Sequence, residues 1–217
     1  MTMRKRAGSV LFTAAAAAAL MGMSVVPALA STHLTVKVSG GGSYRATAGK
    51  TVLTDGKGLT AISVTCKSSK GSGKLPSGTH RGTAPVKLGT VAKLAFNSCS
   101  GPLGQVNNTV KGKPVLSADS KTNRKGQTDA LIGGVDVSVS IPLAGCTFTV
   151  TGSAPGFYTN GKRTLTMTPK LPVRPAKKAQ LTISNVSGCA GAIHNGDHPT
   201  FVATYKVSLK RLKITSR

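Results

Sequence analysis

The sequence predicts an all-β protein, either an antiparallel β-sandwich or an open barrel. Three observations support this prediction: short runs of alternating apolar and polar residues, almost no helical periodicity, and frequent turn-forming residues between the runs. The 217 residues include 26 Gly, 11 Pro and no Trp. This composition excludes a coiled coil, a collagen and a multi-span membrane protein, and it argues against a helical bundle.

Several segments show the period of two that is typical of half-buried strands. Leu34, Val36 and Val38 form the clearest apolar face, because one polar residue separates each from the next. The segments are residues 34–38, 62–65, 135–139, 147–151, 164–168, 180–185 and 201–209. Strands at such spacing, separated by turns, are typical of sandwiches and barrels.

Three dipeptides between these segments predict tight hairpin tips. They are Asp55 with Gly56, Asn160 with Gly161, and Asn195 with Gly196. Such pairs adopt the positive backbone angles that two-residue hairpin turns require.

Residues 1–30 predict a helical signal peptide for the general secretory pathway. Arg4, Lys5 and Arg6 precede an apolar stretch, and Pro27 precedes the small-x-small site that ends at Ala30. The alternative is an uncleaved membrane anchor, since the apolar run approaches the roughly 20 residues that a span needs. Cleavage after Ala30 would leave residues 31–217 as one secreted β-rich domain with no transmembrane anchor, either extracellular or associated with the cell wall.

The four cysteines then predict two disulfides, because exported proteins meet an oxidising compartment. Of the three pairings that four cysteines allow, we favour Cys66 with Cys99 and Cys146 with Cys189. This choice gives two local loops of similar size, each beginning and ending beside a strand. A zinc site would need clustered spacings such as C-x2-C, which the sequence lacks.

Two segments resemble each other and suggest an internal repeat. Residues 94–101 (LAFNSCSG) and 181–191 (LTISNVSGCAG) each contain a strand followed by Asn, Ser, Cys and Gly. Residues 31–105 and 106–217 would then be two related halves. Chance matches in a Gly- and Ser-rich chain are the alternative, and no clear linker separates the halves.

The export signal, the Gly- and Thr-rich strands and the two cysteine pairs support a family resemblance. With residues 97–104 (NSCSGPLG) and 184–197 (SNVSGCAGAIHNGD), they resemble a group of small secreted actinobacterial proteins with no established activity. The resemblance implies an extracellular β-rich protein and carries no catalytic residue. This chain departs from that group in its excess of Lys and Arg.

The sequence offers no catalytic residues. All five acidic residues are Asp, and Asp55 and Asp197 belong to turn sequences, where Asp is favoured for its local hydrogen bonds. There is no G-x-S-x-G motif, and oxidised cysteines supply no thiolate. An enzyme would bring together at least two of a small set of side chains. These are Asp129, Asp136, His80, His194 and His198.

One weak candidate for metal binding lies after Cys189. His194, Asp197 and His198 combine imidazole with carboxylate, which suits zinc or copper, but a further ligand would have to come from His33, His80 or elsewhere. A solvated loop is the alternative. We therefore predict no cofactor.

The formal net charge of +24 is the remaining functional clue, and Arg4, Lys5 and Arg6 of the signal peptide contribute three of these charges. A field of this sign attracts polyanions such as anionic wall polymers. Residues 170–178 predict an extended, exposed loop, because their two prolines disfavour a helix and a central strand. Within this loop the candidate polyanion-binding residues are Lys170, Arg174, Lys177 and Lys178.

The sequence therefore leaves three classes of function. The first is a noncatalytic secreted protein that binds anionic envelope polymers, with a charge that serves solubility as the alternative explanation. The second is a carrier of a small ligand in a cleft of the β-fold, and the third is a metal-dependent enzyme. Specific nucleic-acid binding is not expected, because alternation places several of the few aromatic residues in the core.

Overall fold

The computed structural model describes residues 33–56, 61–173 and 179–217. The predicted signal peptide, residues 1–30, lies outside the described residues, as do residues 174–178 of the predicted basic loop. Residues 31–217 belong to one compact unit. In the described part of the chain, no helix is long and apolar enough to cross a membrane.

The described residues form strands, loops and one short 3-10 turn at Pro142–Ala144. The strands are β1 (His33–Ser39), β2 (Gly42–Ala48), β3 (Thr51–Asp55), β4 (Ile62–Leu75), β5 (Gly78–Thr83), β6 (Val86–Gly101), β7 (Gly104–Val110), β8 (Val115–Ala118), β9 (Gln127–Ile141), β10 (Cys146–Thr159), β11 (Thr164–Met167), β12 (Leu181–Ser187), β13 (Thr200–Val207) and β14 (Lys213–Ser216). All pairings are antiparallel, so the predicted antiparallel all-β fold is confirmed.

The larger sheet closes on itself. Starting at β4, the pairings run through β6, then β7 and β8, then β9 and β10, and return through β11 and β13. Strands β2 and β3, which follow each other along the chain, each pair with both β13 and β4 and complete the ring. The β9–β10 hairpin closes the ring, because β10 pairs with β9 along its length and with β11 and β12 on its other side. Side chains that point inward from this ring build the core.

The smaller sheet has the order β14-β1-β5, and its strands contact β6 and β9 of the ring. The Asn160 side chain, beyond the end of β10, accepts a hydrogen bond from the Ile214 N–H at 2.7 Å and donates one to the Ile214 carbonyl at 2.8 Å. Leu34, Val36 and Val38 are buried in the common core, as their alternation predicts.

Several strands are longer than the sequence indicates, because some glycines that resemble turn residues lie inside strands. Strand β4 continues through Gly71 and Gly73, and β10 continues through Gly156. A Cβ atom on Gly73 would overlap the carbonyl oxygen of Thr90 on the neighbouring strand. Gly73 and Gly156 require glycine because the backbone of a neighbouring strand approaches closely, whereas Gly71 has no such neighbour.

The three predicted hairpin tips have different outcomes. Asp55 and Gly56 lead into the loop between the paired strands β3 and β4, and Asn160 and Gly161 lie between the paired strands β10 and β11. Asn195 and Gly196 lie in the loop between β12 and β13, which pair with β10 and β11 respectively, so this third prediction is wrong. The local dipeptide fixes a bend, whereas the hairpin depends on which strands pair.

Both predicted disulfides are confirmed. Cys66 and Cys99 are directly opposite each other on β4 and β6, and their bond joins these two neighbouring strands of the ring. Cys146 begins β10, and Cys189 follows the end of β12, the strand that pairs with β10. The described part of the chain contains no free cysteine.

Strands from residues 31–105 and 106–217 pair extensively with one another. Strand β1 pairs with β14, β2 and β3 pair with β13, and β6 pairs with β7 and β8. Residues 94–101 lie in β6, which pairs with β4, the strand that contains Cys66. Residues 181–191 begin with β12, which pairs with β10, the strand that contains Cys146. The internal repeat stays a prediction.

Candidate functional site

A group of cations occupies the outer face of four adjoining strands, β13, β2, β4 and β6. We call it the basic face and define it as Arg45, Lys70, Lys74, Lys93 and Lys206. All five side chains are exposed. Alternation explains this placement in β2, where the neighbours Tyr44 and Ala46 are buried.

The strand register sets the spacing of these cations. Thr47 on β2 is opposite Lys70 on one side and opposite Lys206 on the other. These two lysines are therefore two strands apart, roughly 10 Å. Arg45 lies two residues along β2 from Thr47, on the diagonal to Lys70, at roughly 7–8 Å.

A second row of the basic face lies parallel to the first. Ser72 on β4 is opposite Arg45 on one side and Lys93 on the other. Lys74 is opposite Ser43 and Thr90 in the next row. The positions between the cations are thus occupied by small hydroxyl residues. Their short side chains leave the cations accessible and add hydrogen-bond donors.

No acidic residue lies on any of these four strands. In the part of the chain that the structure describes, none of the five cations forms an ion pair, since the one ion pair found there joins His194 to Asp197. Two charges 10 Å apart in water repel by about 0.4 kcal/mol. The positive charge of the basic face is therefore not balanced by acidic residues, but the repulsion is too small to prevent folding. A bound polyanion would relieve this repulsion.

The loop predicted from residues 170–178 is only partly described. Lys170 is exposed, and its backbone N–H donates a hydrogen bond to the Thr168 hydroxyl at 3.1 Å. Arg174, Lys177 and Lys178 lie outside the described residues. The role of this loop in binding stays a prediction.

Two residues of the candidate metal site, His194 and Asp197, contact each other, whereas His198 has a different partner. The His194 N–H donates to the Asp197 carboxylate at 2.7 Å, and the His194 ring nitrogen Nδ1 lies 3.6 Å from the same oxygen. The Nδ1 atom of His198 instead lies 3.1 Å from the Leu181 carbonyl on β12. Among the described residues, no three His, Cys, Asp or Glu side chains are grouped as a metal site.

Asp197 has a partner that the sequence analysis did not anticipate. The buried carboxyl of Asp55, at the end of β3, forms a hydrogen bond with the Asp197 carboxyl. Burial raises the pKa of Asp55, and the bond to Asp197 raises it further. The His194 backbone N–H lowers the pKa of Asp197, and the contact with Asp55 lowers it further.

A second pair of carboxyls is buried where β8 ends and β9 begins. Asp119 and Asp129 are almost completely inaccessible, and the Asp119 N–H donates to the Asp129 carbonyl at 2.9 Å. Burial is the main cause that raises the pKa of Asp129, and the Asp119 charge contributes to the rise, so that this pKa reaches about 6. His80 is in β5 of the smaller sheet, and Asp136 lies farther along β9.

The described aromatic side chains are all buried or half-buried. Tyr44, Phe148, Tyr158 and Tyr205 are buried. Phe96 and Phe201 are half-buried, and their rings meet edge to face with centroids 5.9 Å apart. The basic face therefore offers charge and hydrogen bonds to a ligand, without an aromatic surface for stacking.

Sequence reasoning missed the basic face for a specific reason. Lys70 and Lys74 lie in a Gly- and Ser-rich stretch that resembles a turn, and Arg45 lies in a strand with small inward residues. The sequence does contain one indication of the basic face, because its cations recur along segments that have no acidic residue. Their convergence depends on the pairing of β2 with both β4 and β13.

Comparisons with known proteins identify no relative of this chain. No protein-family model matches it, and neither a curated protein nor a solved structure matches.

Proposed function

We propose that this is a secreted, noncatalytic protein that binds an anionic polymer of the cell envelope through the basic face. The observation that carries the proposal is the grouping of five exposed cations on four adjoining strands that contain no acidic residue. All five Asp side chains lie outside these four strands. A field of one sign over a continuous surface favours association with polyanions.

The geometry favours an extended polymer with regularly repeated anionic groups. Rows of cations at roughly 7–10 Å present several contacts at once, and the hydroxyls of Thr47 and Ser72 lie between them. With no exposed aromatic residue among those described, recognition relies on charge and hydrogen bonds. We therefore expect little preference for the neutral part of the polymer.

The loop of residues 170–178 is a further proposed contributor. Lys170, Arg174, Lys177 and Lys178 place four cations on a segment with two prolines. Replacing all four with Gln should weaken retention on a cation-exchange resin and on wall polymer alike. Equal binding of that variant to wall polymer would remove the loop from the proposal.

The experiment that tests the basic face compares two charge-matched variants. One carries Arg45→Gln, Lys70→Gln and Lys93→Gln, and its control carries Lys121→Gln, Arg124→Gln and Lys125→Gln. All six residues are exposed, and each triple removes one Arg and two Lys. Because exposed substitutions usually change stability by less than roughly 0.5 kcal/mol, both variants should fold.

Binding is measured on isolated cell-wall material and on immobilised linear polyphosphate over a range of salt concentrations. The parent should bind tightly at low salt, and the slope of log affinity against log salt should fall by about two in the basic-face variant. The control should retain most of the affinity and most of the slope. Equal losses in both variants, or no binding of the parent to wall material at low salt, would show that the charge serves solubility instead.

A further inference from the structure

Inside the ring of strands lies an apolar cavity, partly open to the surface, that the proposed function does not use. The cavity has a volume of about 90 Å³ and is lined by inward side chains of most of the ring strands. A neighbouring cavity of about 60 Å³ shares Leu94, Ile132 and Tyr205 with it. Together they follow the interior of the ring.

The sequence explains why this space is not filled. Inward positions on the wall of the cavity carry small apolar residues, including Val106, Val137, Val150 and Ala154. The interior of a closed sheet of about eight strands is just wide enough to be filled by side chains, so small residues at facing positions leave a void. Cys66 and Cys99 also line the cavity, and their disulfide joins two neighbouring wall strands.

The residues that line the cavity determine which kind of molecule it can bind. The accessible lining is apolar, and among the described polar side chains beside it the Thr51 hydroxyl alone is buried without a hydrogen-bond partner. The Ser69 hydroxyl donates to the Tyr205 hydroxyl at 2.9 Å, and the Asn108 amide donates to the Phe96 carbonyl at 3.4 Å. A water molecule in the cavity would find the Thr51 hydroxyl as a partner, which is fewer than the two to four partners that an ordered water needs, so an apolar molecule is the favoured occupant.

Size and shape narrow the class of ligand further. Phe96 and Phe201 both line the cavity and are half-buried, so they retain apolar ring surface that other side chains do not cover. Aromatic rings prefer edge-to-face or offset contact with a further ring. An apolar cavity of about 150 Å³ is known to hold one benzene molecule, a size that the two adjoining cavities approach.

We propose that the interior of the ring binds one small apolar molecule of the size of a single aromatic ring. This inference goes beyond the proposed function and is independent of the basic face. The site is the pair of adjoining cavities. The larger lies between Phe96, Phe201 and the valines of β7, β9 and β10, and it shares Leu94, Ile132 and Tyr205 with the smaller.

The test uses the purified, oxidised protein with toluene as the probe. Methyl NMR signals of Val106, Val137 and Val150 should shift on addition of toluene, whereas those of Leu34 and Val36 in the smaller sheet should not. The variant with Arg45→Gln, Lys70→Gln and Lys93→Gln should bind toluene as the parent does. A parent whose cavity methyls do not respond to saturating toluene would overturn the proposal.

Cavity-filling variants locate the site. Ala154→Leu should weaken toluene binding at least tenfold, and Ala95→Leu, on the exposed outer face of β6, is the matched control that should bind normally. Val139→Ile adds a single carbon to the same wall and should weaken binding more modestly in a variant that folds. If toluene binding is unchanged by both filling substitutions, the ligand binds elsewhere and the proposal is wrong.

Discussion

At the scale of single residues, Asp129 is the group whose environment most clearly opposes its charge. Its side chain is 0% exposed, and burial raises its pKa from 3.8 to about 6, with the neighbouring Asp119 adding to the effect. The folded state therefore holds a proton between about pH 4 and pH 6, where the unfolded chain has released it. A carboxyl of this kind reduces stability as the pH rises through that window.

We predict that Asp129→Asn removes this part of the pH dependence. The parent should lose roughly 2.4 kcal/mol of stability through Asp129 between pH 4 and pH 7, because about two pKa units correspond to roughly 3 kcal/mol and part of this is already lost at pH 4. The Asn variant should not show this loss, and its stability relative to the parent should be greatest above pH 6. Denaturant unfolding at pH 4, 5, 6, 7 and 8 measures the difference.

Asp136→Asn is the control for this experiment, because Asp136 lies on the same strand and is half-buried. Its stability profile should run parallel to that of the parent. Parallel profiles for the parent and for Asp129→Asn would contradict the prediction.

At the scale of elements, the glycines of β4 decide how closely neighbouring strands approach. Gly71 and Gly73 are two residues apart on the same strand, yet their surroundings differ. A Cβ on Gly71 would have its nearest neighbour at 3.8 Å, whereas one on Gly73 would overlap the Thr90 carbonyl. The same residue type therefore has a strict packing role at one position and not at the other.

Gly73→Ala should destabilise the protein by roughly 1–3 kcal/mol, the usual cost of forcing extra atoms into a packed site. Gly71→Ala should be neutral or slightly stabilising, because alanine restricts the unfolded chain more than glycine does. Thermal unfolding of the two variants and the parent tests this contrast. Equal effects of the two substitutions would show that the close contact at Gly73 carries no cost.

The two disulfides belong to the same scale, since each joins a pair of strands. Their cysteines are separated by 33 and 43 residues in the sequence. In the loop-entropy model, such loops stabilise the folded state by about 4 kcal/mol each. The similar lengths imply similar contributions.

We predict that the double variants Cys66→Ala with Cys99→Ala, and Cys146→Ala with Cys189→Ala, each lose about 4 kcal/mol of unfolding free energy. Denaturant unfolding of the oxidised parent and of the two variants measures the losses. A loss below about 1 kcal/mol in either variant would mean that its disulfide does not restrict the unfolded chain as the model assumes.

At the scale of the whole molecule, the formal charge of +24 opposes compaction. Salt should therefore stabilise this protein, because the screening length falls to about 8 Å at physiological ionic strength. Raising NaCl from 10 to 200 mM should increase the melting temperature by a few degrees. The increase should be smaller in the variant with Arg45→Gln, Lys70→Gln and Lys93→Gln, and an equal increase would show that these cations do not repel one another appreciably.

The export prediction also concerns the whole molecule. The secreted form should begin at Ser31, because signal peptidase accepts the site that ends at Ala30. N-terminal sequencing of protein from culture supernatant tests this directly. Recovery of Met1 or Thr2 at the terminus would contradict it.

The sequence by itself determined the class of fold and the covalent cross-links. Alternation at Val135, Val137 and Val139 predicted a strand with one buried face, and β9 covers this segment. Both disulfides follow the pairing favoured from loop length. These features are local or depend on few alternatives, so a single sequence contains enough information to predict them.

Only the tertiary structure decided the closure of the ring, the basic face and the interior cavity. Each depends on strands that are distant in sequence, such as β2 with β13 and β6 with β8. A period of two shows which residues share a face, but it does not show which strand lies beside which. Arg45 and Lys206 belong to one face because register places Thr47 between Lys206 and Lys70, and register is a property of the pairing and not of either strand alone.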